Sequence, residues 1–185
     1  MSALRDGTAR LAGRTEQQIS TLFDRYTNGS ISRDAFVSLA AQILATSRAR
    51  GVALADLSLT AAAVRALRRP EVPIGITQPE GDLERLESSV ASVLDADVDY
   101  PDDERELRGS QRLRLGRLAR DSTAEVVPWA MAMLMGHRSV SGWVRETDAD
   151  PCKVCSNLAD GIVRSHSVVM KRHTGCMCVP RAIFT

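Results

Sequence analysis

Apolar residues recur at helical spacing along most of the chain. Ile19, Leu22, Phe23 and Tyr26 fall at i, i+3, i+4 and i+7, which predicts an amphipathic helix over residues 8 to 27. Asn28-Gly29 ends it. Ser32 offers an N-cap, with Ile31 and Phe36 placed as a hydrophobic staple for a second helix. Its buried stripe is Phe36, Leu39, Ala40, Ile43 and Leu44, and the two helices form an antiparallel hairpin. Gly51 breaks or kinks the second helix, and a third helical stretch follows from about Ser58 to Arg69, carrying Val64 and Leu67. Pro70, Pro73, Gly75 and Pro79 then exclude regular helix, leaving an exposed connector or an extended arm laid on a neighbour. From Asp82 the pattern resumes with Leu83, Leu86, Val90, Val93 and Leu94.

Charge is unevenly placed in the middle of the chain. Asp95, Asp97, Asp99, Asp102, Asp103 and Glu104 surround Tyr100-Pro101, and a basic helix follows with Arg105, Arg108, Arg112, Arg114, Arg117 and Arg120. Leu107, Leu115 and Leu118 are its apolar positions. Such a run is usually a solvated face whose charges pair locally. The other reading is a contact for packaged DNA or for an acidic partner, since arginine matches phosphate geometry. Ser122-x-x-Glu125 has the form of a capping box and predicts the start of a last long helix, containing Pro128, Trp129 and the methionines Met131, Met133 and Met135. Gly136 ends it. Residues Gly142 to Thr147 alternate as a short strand, for which Val168 to Met170 is a candidate partner.

The chemistry of the chain is concentrated at its C-terminal end. All four cysteines, Cys152, Cys155, Cys176 and Cys178, stand there with His166 and His173. The pattern is C-x2-C followed by H-x2-C-x-C, and close pairs of soft ligands suit the tetrahedral nitrogen and sulfur shell of zinc. Cys152, Cys155, His173 and Cys176 form the first choice of ligand set, because their two-residue gaps match. Cys178 can replace either His173 or Cys176, and His166 has no partner at a matching spacing. Four protein ligands fill the shell, so a single zinc ion per chain would be structural. Two disulfides would suit a secreted mini-domain, but the opening Met-Ser-Ala-Leu-Arg-Asp has no apolar signal region. A reducing cytoplasm, favouring thiolates, is the expected setting.

Two other sites fail for want of a required residue. Pro151-Cys152-x-x-Cys155 copies half of the zinc deaminase signature, but the only upstream histidine, His137, is followed two residues later by Ser139 rather than the glutamate that carries protons. Asp24-x-Tyr26-x-Asn28-Gly29-x-Ile31 copies the start of a calcium loop, but the twelfth place is Ala35 and the third is Tyr26, leaving too few oxygens. No nucleophile and base, phosphate-cradling loop or open metal site can be assembled, so no enzyme is expected.

At 185 residues the chain suits one domain with a small appendage, divided here as a helical body over residues 1–140 and a zinc-knuckle module over 141–185. Hydrophobic residues make up 44% but aromatics only 4%, so the core must be aliphatic, which suits packed helices. The fold class expected is mainly α, with a small C-terminal β-hairpin stabilised by zinc. A net charge of +1 gives no whole-molecule preference for nucleic acid or membrane. The longest near-apolar run, Val126 to Met135, is too short to span a bilayer.

The run Gly142-Trp143-Val144-Arg145-Glu146-Thr147-Asp148, then Cys152-x-x-Cys155, Leu158, Gly161 and His173-x-x-Cys176-x-Cys178, resembles the C-terminal part of the Mu F-like head morphogenesis proteins. These are minor capsid proteins of tailed phages, whose members read W-V-x-x-x-D-x-x-x-C-x-x-C-x-x-L-x-G and then H-P-N-C-R-C. Gly161 lies one residue later than in that pattern, and His173-Thr174-Gly175-Cys176-Met177-Cys178 replaces its last six residues. The resemblance covers about forty residues and implies a virion protein, present in host cytoplasm during assembly. It would dock on the portal or major capsid protein, with packaged DNA a further partner through the arginine-rich helix 105–120. Some longer members carry toxin or enzyme domains beyond the knuckle, and none is expected here. The alternative is a zinc-ribbon nucleic-acid-binding regulator, with Lys171, Arg172 and Arg181 on phosphates. Such a reader is recognised by a clustered basic footprint, which this near-neutral, aromatic-poor chain does not announce.

Overall fold

The computed structural model of the chain describes residues 3–78, 81–96, 104–147 and 150–185, and of residues 104 and 105 the backbone alone. Its elements run α1 (Ala3–Thr27), α2 (Arg33–Leu67), α3 (Asp82–Asp95), α4 (Glu104–Met135), β1 (Val140–Glu146), α5 (Lys153–Leu158) and β2 (Val179–Phe184). The protein is mainly helical with a small two-stranded antiparallel sheet at its C-terminal end. The acidic residues 97 to 103, Pro79, Asp148 and the Arg105 side chain lie outside the description.

The first hairpin forms as its sequence dictates. The left-handed Gly29 (φ 79°) ends the turn after α1, and the Ser32 hydroxyl caps α2 by accepting the Ala35 N–H at 3.2 Å. Phe23, Tyr26 and Phe36 then gather into one aromatic cluster with ring centroids 5.3 to 5.9 Å apart. Around it, Ile19, Ala40, Leu44, Leu86, Val90, Leu115 and Ala119 from all four long helices close a distal core. Each large side chain so buried contributes roughly 1.5–3 kcal/mol. Leu39, expected in the stripe, is 39% exposed, and Ile43 is only partly buried.

Gly51 does not break α2, which runs unbroken from Arg33 to Leu67, so the expected third stretch is part of the same helix. The buried positions Phe36, Ala40, Leu44, Ser47, Gly51, Ala55, Leu59 and Ala63 continue one stripe through the glycine. A methyl group at Gly51 would stand 2.7 Å from the Val126 side chain, so the glycine lets α4 approach α2. Beside this contact a chain of buried hydroxyls crosses three helices: Thr15 to Ser47 at 2.6 Å and Ser47 to Thr123 at 2.9 Å.

The same logic corrects the reading of Ser122. Leu115, Ala119, Thr123, Val127, Ala130 and Leu134 form one unbroken buried stripe, so α4 runs through the capping-box pattern, and Ser122 lies buried mid-helix. Its carbonyl accepts Arg48 Nη1 at 3.0 Å. Pro128 sits in the helix interior and removes one backbone donor there.

The proline-rich segment after α2 is laid on its own chain. The buried Asp56 carboxylate accepts the backbone N–H groups of Ile74 and Gly75 at 3.1 and 2.7 Å. Arg138, whose side chain is 4% exposed, adds an ion pair to Glu71 at 2.7 Å and a bond to the Val72 carbonyl. One carboxylate thus satisfies backbone groups that have no ladder of their own.

β1 pairs with β2, not with Val168 to Met170, in the register Gly142 to Ile183 and Val144 to Arg181. The difference is one of cover: Ala182 and Phe184 both pack on the core, whereas of the expected segment Met170 alone is buried and Val168 and Val169 stay 51% and 47% exposed. The opposite edge of β1 is bridged by Arg164 through two 2.8 Å backbone bonds with Trp143. The sheet does not pack apart from the helices. Leu4, Val52, Leu59, Val127, Met131, Trp143, Cys155, Cys176 and Val179 belong to one proximal core. Among the described residues no helix is long and apolar enough to cross a membrane.

Candidate metal centre

The segment between the two strands winds into a compact knot. β1 delivers the chain to Cys152, which caps α5 by accepting the Cys155 N–H on its sulfur at 3.4 Å. That single helical turn places Cys155 inward, 2% exposed. On the returning side, Cys176 N–H closes a turn onto the His173 carbonyl, and left-handed Gly175 (φ 80°) allows it. Asp121 on α4 accepts the Gly175 N–H at 2.7 Å and so pins this turn to the helical body. Cys178 N–H then points at Cys176 Sγ, 3.4 Å away.

The five predicted ligands are brought together. His173 Nε2 lies 2.9 Å from Cys152 Sγ and 3.2 Å from Cys155 Sγ, and Cys155 Sγ lies 3.4 Å from Cys176 Sγ. Two groups that can hold a metal ion, Cys152–Cys155–His173 and Cys155–Cys176–Cys178, therefore meet at the buried Cys155. His166 lies outside both groups. All four cysteines are free thiols.

The protonation of these groups is set by their surroundings. Backbone N–H groups, that of Cys155 first, hold the Cys152 thiol below its ordinary range. Burial pushes Cys176 up, but the Cys178 N–H and the neighbouring thiols outweigh it and leave it lowered. Cys155 is pushed strongly up, by burial first and then by the thiols of Cys176 and Cys178. The Thr174 carbonyl raises His173, and its 2.9 Å contact with Nδ1 leaves Nε2 facing the sulfurs. A cation among them would favour the thiolate at Cys155 that burial alone opposes.

Cationic side chains stand around the knot. Arg145 places Nη1 4.0 Å from Cys155 Sγ and binds the Lys171 carbonyl at 2.7 Å through Nη2. Arg172 lowers Cys176 by its charge, and its Nε and Nη2 are buried without a hydrogen-bond partner among the described residues. Neither arginine, nor Asp121, was legible as part of the centre. Asp121 is 54 positions from the turn it holds, and the arginines differ in no pattern from the many others.

The arginine-rich helix is largely occupied on its own chain. Arg112 pairs with Asp24 and stacks over Phe23 at 5.5 Å, Arg108 binds the Thr27 carbonyl, and Arg120 stands 3.6 Å from Glu16. Asp24, first residue of the calcium-loop decoy, is thus an arginine partner.

Gly142 fixes how closely the knot can approach the sheet. A methyl there would lie 2.3 Å from the Arg164 carbonyl oxygen, a backbone atom with nowhere to go. Gly142→Ala is expected to cost about 2–3 kcal/mol through overpacking, while Gly109→Ala, in open space within α4, should gain about 0.5–1 kcal/mol. Thermal melts of the two variants check the contrast, and equal melting temperatures would contradict it. No protein-family model, curated protein or solved structure matches the chain.

Proposed function

We propose that the cluster holds one structural zinc ion and that the protein is a minor capsid, head morphogenesis protein of a tailed phage. The observation that carries this reading is a coincidence of two sets. Among the residues on which the family resemblance rests, Trp143, Cys152, Cys155, His173, Cys176 and Cys178 are gathered into the knot and its sheet.

The donor set fits zinc. Tetrahedral zinc with Zn–S near 2.3 Å and Zn–N near 2.0 Å requires ligand edges of about 3.5–3.8 Å. Three of the six edges of such a set are already short, with nitrogen–sulfur spacings of 2.9 and 3.2 Å and a sulfur–sulfur spacing of 3.4 Å, inside that range. Cys152, Cys155 and His173 supply three places as one group. Cys176 supplies the fourth from the second group, which shares Cys155 and includes buried Cys178, able to replace His173 or Cys176. One ion would draw the two groups together about Cys155. When bound, zinc supplies a cross-link between α5 and the 173–178 turn. The positive Arg145 and Arg172 offset the excess charge of three thiolates. Gly175 also supports the resemblance: it stands where the family pattern has asparagine, and these are the two residue types that readily take positive φ.

An assembly role is favoured by the outer face of the module. Val154, Leu158, Ile162, Val163, Val168 and Val169 are 39 to 60% exposed within sixteen residues, more aliphatic surface than a small module normally leaves to water. It suits docking on the portal or the inner capsid wall. The regulator alternative is less well supplied, because Arg172, one of the three cations it would use, turns buried nitrogens inward, leaving Lys171 and Arg181 of that set exposed. For packaged DNA, Arg114 and Arg117 remain on α4 without an ion pair among the described residues.

Mass spectrometry on purified phage particles tests the reading. The chain should be recovered from DNA-filled heads at a fixed copy number, with one zinc per chain in the recombinant protein. A chain absent from particles but retained on duplex DNA at physiological salt would favour the regulator.

A further inference from the structure

The face of the α1–α2 hairpin turned away from α4 carries a groove that the metal centre and its resemblance do not use. It encloses about 780 Å³ and is lined by twelve residues, none of them acidic. Arg14, Arg25 and Arg50 stand on its rim, all exposed. None of the three has an ion pair or side-chain hydrogen bond among the described residues. Arg48, Arg112, Arg120 and Arg138 by contrast each face a carboxylate, and the unpaired Arg114 and Arg117 lie on α4, outside the groove. Three unpaired guanidinium groups around one groove form a local positive field in a chain whose net charge is only +1.

The floor is apolar. Leu22, Leu39 and Ile43 line it, and Leu39 is 39% exposed although its neighbours in sequence complete the distal core. This is where α2 departs from its expected stripe. Arg14 and Arg25 are eleven residues apart on one helix, a rise of about 16 Å or three turns. Arg50 faces Arg14 across the hairpin, since Thr15 and Ser47 are hydrogen-bonded.

We propose that this groove receives an acidic amphipathic helix of about three turns from a partner protein. Its apolar stripe would cover Leu39 and Ile43, and carboxylates on either side would meet Arg14, Arg25 and Arg50. An apolar stripe in a groove flanked by opposite charge is a recurring mode of helix recognition. A nucleic-acid backbone would satisfy the arginines but leave the leucine and isoleucine floor uncovered, and the groove lining has no aromatic side chain for stacking.

Fluorescence anisotropy with three probes decides the matter: a labelled synthetic helix of leucines flanked by glutamates, its glutamate-to-lysine counterpart, and a labelled DNA duplex. The full chain should bind the glutamate probe and not the lysine probe. Arg14→Glu/Arg25→Glu should weaken that binding about a hundredfold, roughly tenfold per reversed charge. Leu39→Gln should weaken it several-fold with little change in salt dependence. Circular dichroism of both variants should match the parent, because every altered side chain is exposed. Equal binding of both peptides, no binding of the glutamate probe, or no effect of the charge reversal would overturn the proposal. Tighter binding of DNA, lost in the same variants, would overturn it in favour of a nucleic-acid groove.

Discussion

Cys155→Ser, or exposure to a strong chelator, is expected to open the C-terminal knot while the distal helical core stays folded. Cys155 is the buried sulfur at which both ligand groups meet, so its loss removes the donor that no other residue can replace. Zinc binding in small zinc-finger peptides contributes about 10–16 kcal/mol of apparent folding energy. For this chain the expected gain is smaller, because the strands already share a core with α2 and α4. A loss of about 4 kcal/mol or more, seen as a separate early melting transition or a lowering of roughly 10 °C, is the expected scale. Trp143 is the local reporter: it is 2% exposed and donates its indole N–H to the Val168 carbonyl at 2.8 Å. In a Trp129→Phe background its emission should shift red on chelation, with helical circular dichroism nearly unchanged. Unaltered emission and an unaltered melt, in chelator and in the serine variant alike, would dispose of a structural metal.

The second large effect lies far from the knot. Arg48 and Asp82 are a buried ion pair at 2.6 Å, their side chains 7% and 6% exposed, and Arg85 adds a second contact to the same carboxylate at 2.7 Å. The pair sits where α2, α3 and α4 meet, and Arg48 also reaches the Ser122 carbonyl. Asp82→Ala leaves a guanidinium in the interior with Glu125 no closer than 3.8 Å. Breaking one side of such a pair costs about 3–5 kcal/mol. Replacing both, as Arg48→Met/Asp82→Leu, should recover most of it, since apolar packing substitutes well for a buried pair. Urea titrations of the single and double variants measure the difference, and a double variant as unstable as the single one would refute the account.

The same pair gives a pH dependence of known sign. Burial pushes the Asp82 carboxyl up, but the hydrogen bonds from Arg85 and Arg48 outweigh it and hold it below its usual range. A carboxylate lowered on folding stabilises the native state above the unfolded value near 4. That contribution is lost as pH falls through the lower folded value. Stability should therefore drop below about pH 4 in the parent and much less in Arg48→Met/Asp82→Leu.

Local pattern was legible where one stretch of sequence decides the outcome. The Asn28-Gly29 turn, the Ser32 cap, the helical class and the five residues of the knot all rest on neighbours within a few positions. What escaped was decided by distant partners. Gly51 looks like a break until Val126 is placed against it, and Ser122-x-x-Glu125 looks like a helix start until Leu115 and Val127 are seen on one stripe. The strand partner of β1 was misread because Val168 to Met170 has the right composition. Cover by Ala182 and Phe184 is a tertiary fact. Asp56, Asp121 and Arg145 act across the fold on backbone and sulfur atoms, and no spacing rule points to them.

The two cores also impose an order on folding. Seven of the eleven buried residues of the distal core come from residues 19 to 44, joined by one short turn, so its first contacts close small loops. The proximal core joins Leu4 to Trp143, Cys176 and Val179, and Arg5 reaches the Thr147 carbonyl across 142 positions. Contacts of that separation carry the largest closure entropy and form slowly. The first turn of α1 is thus among the last parts of the fold to find its neighbours. Until the 140–184 segment closes, Leu4 lacks part of the core it belongs to, and the start of α1 waits on residues more than 130 positions away.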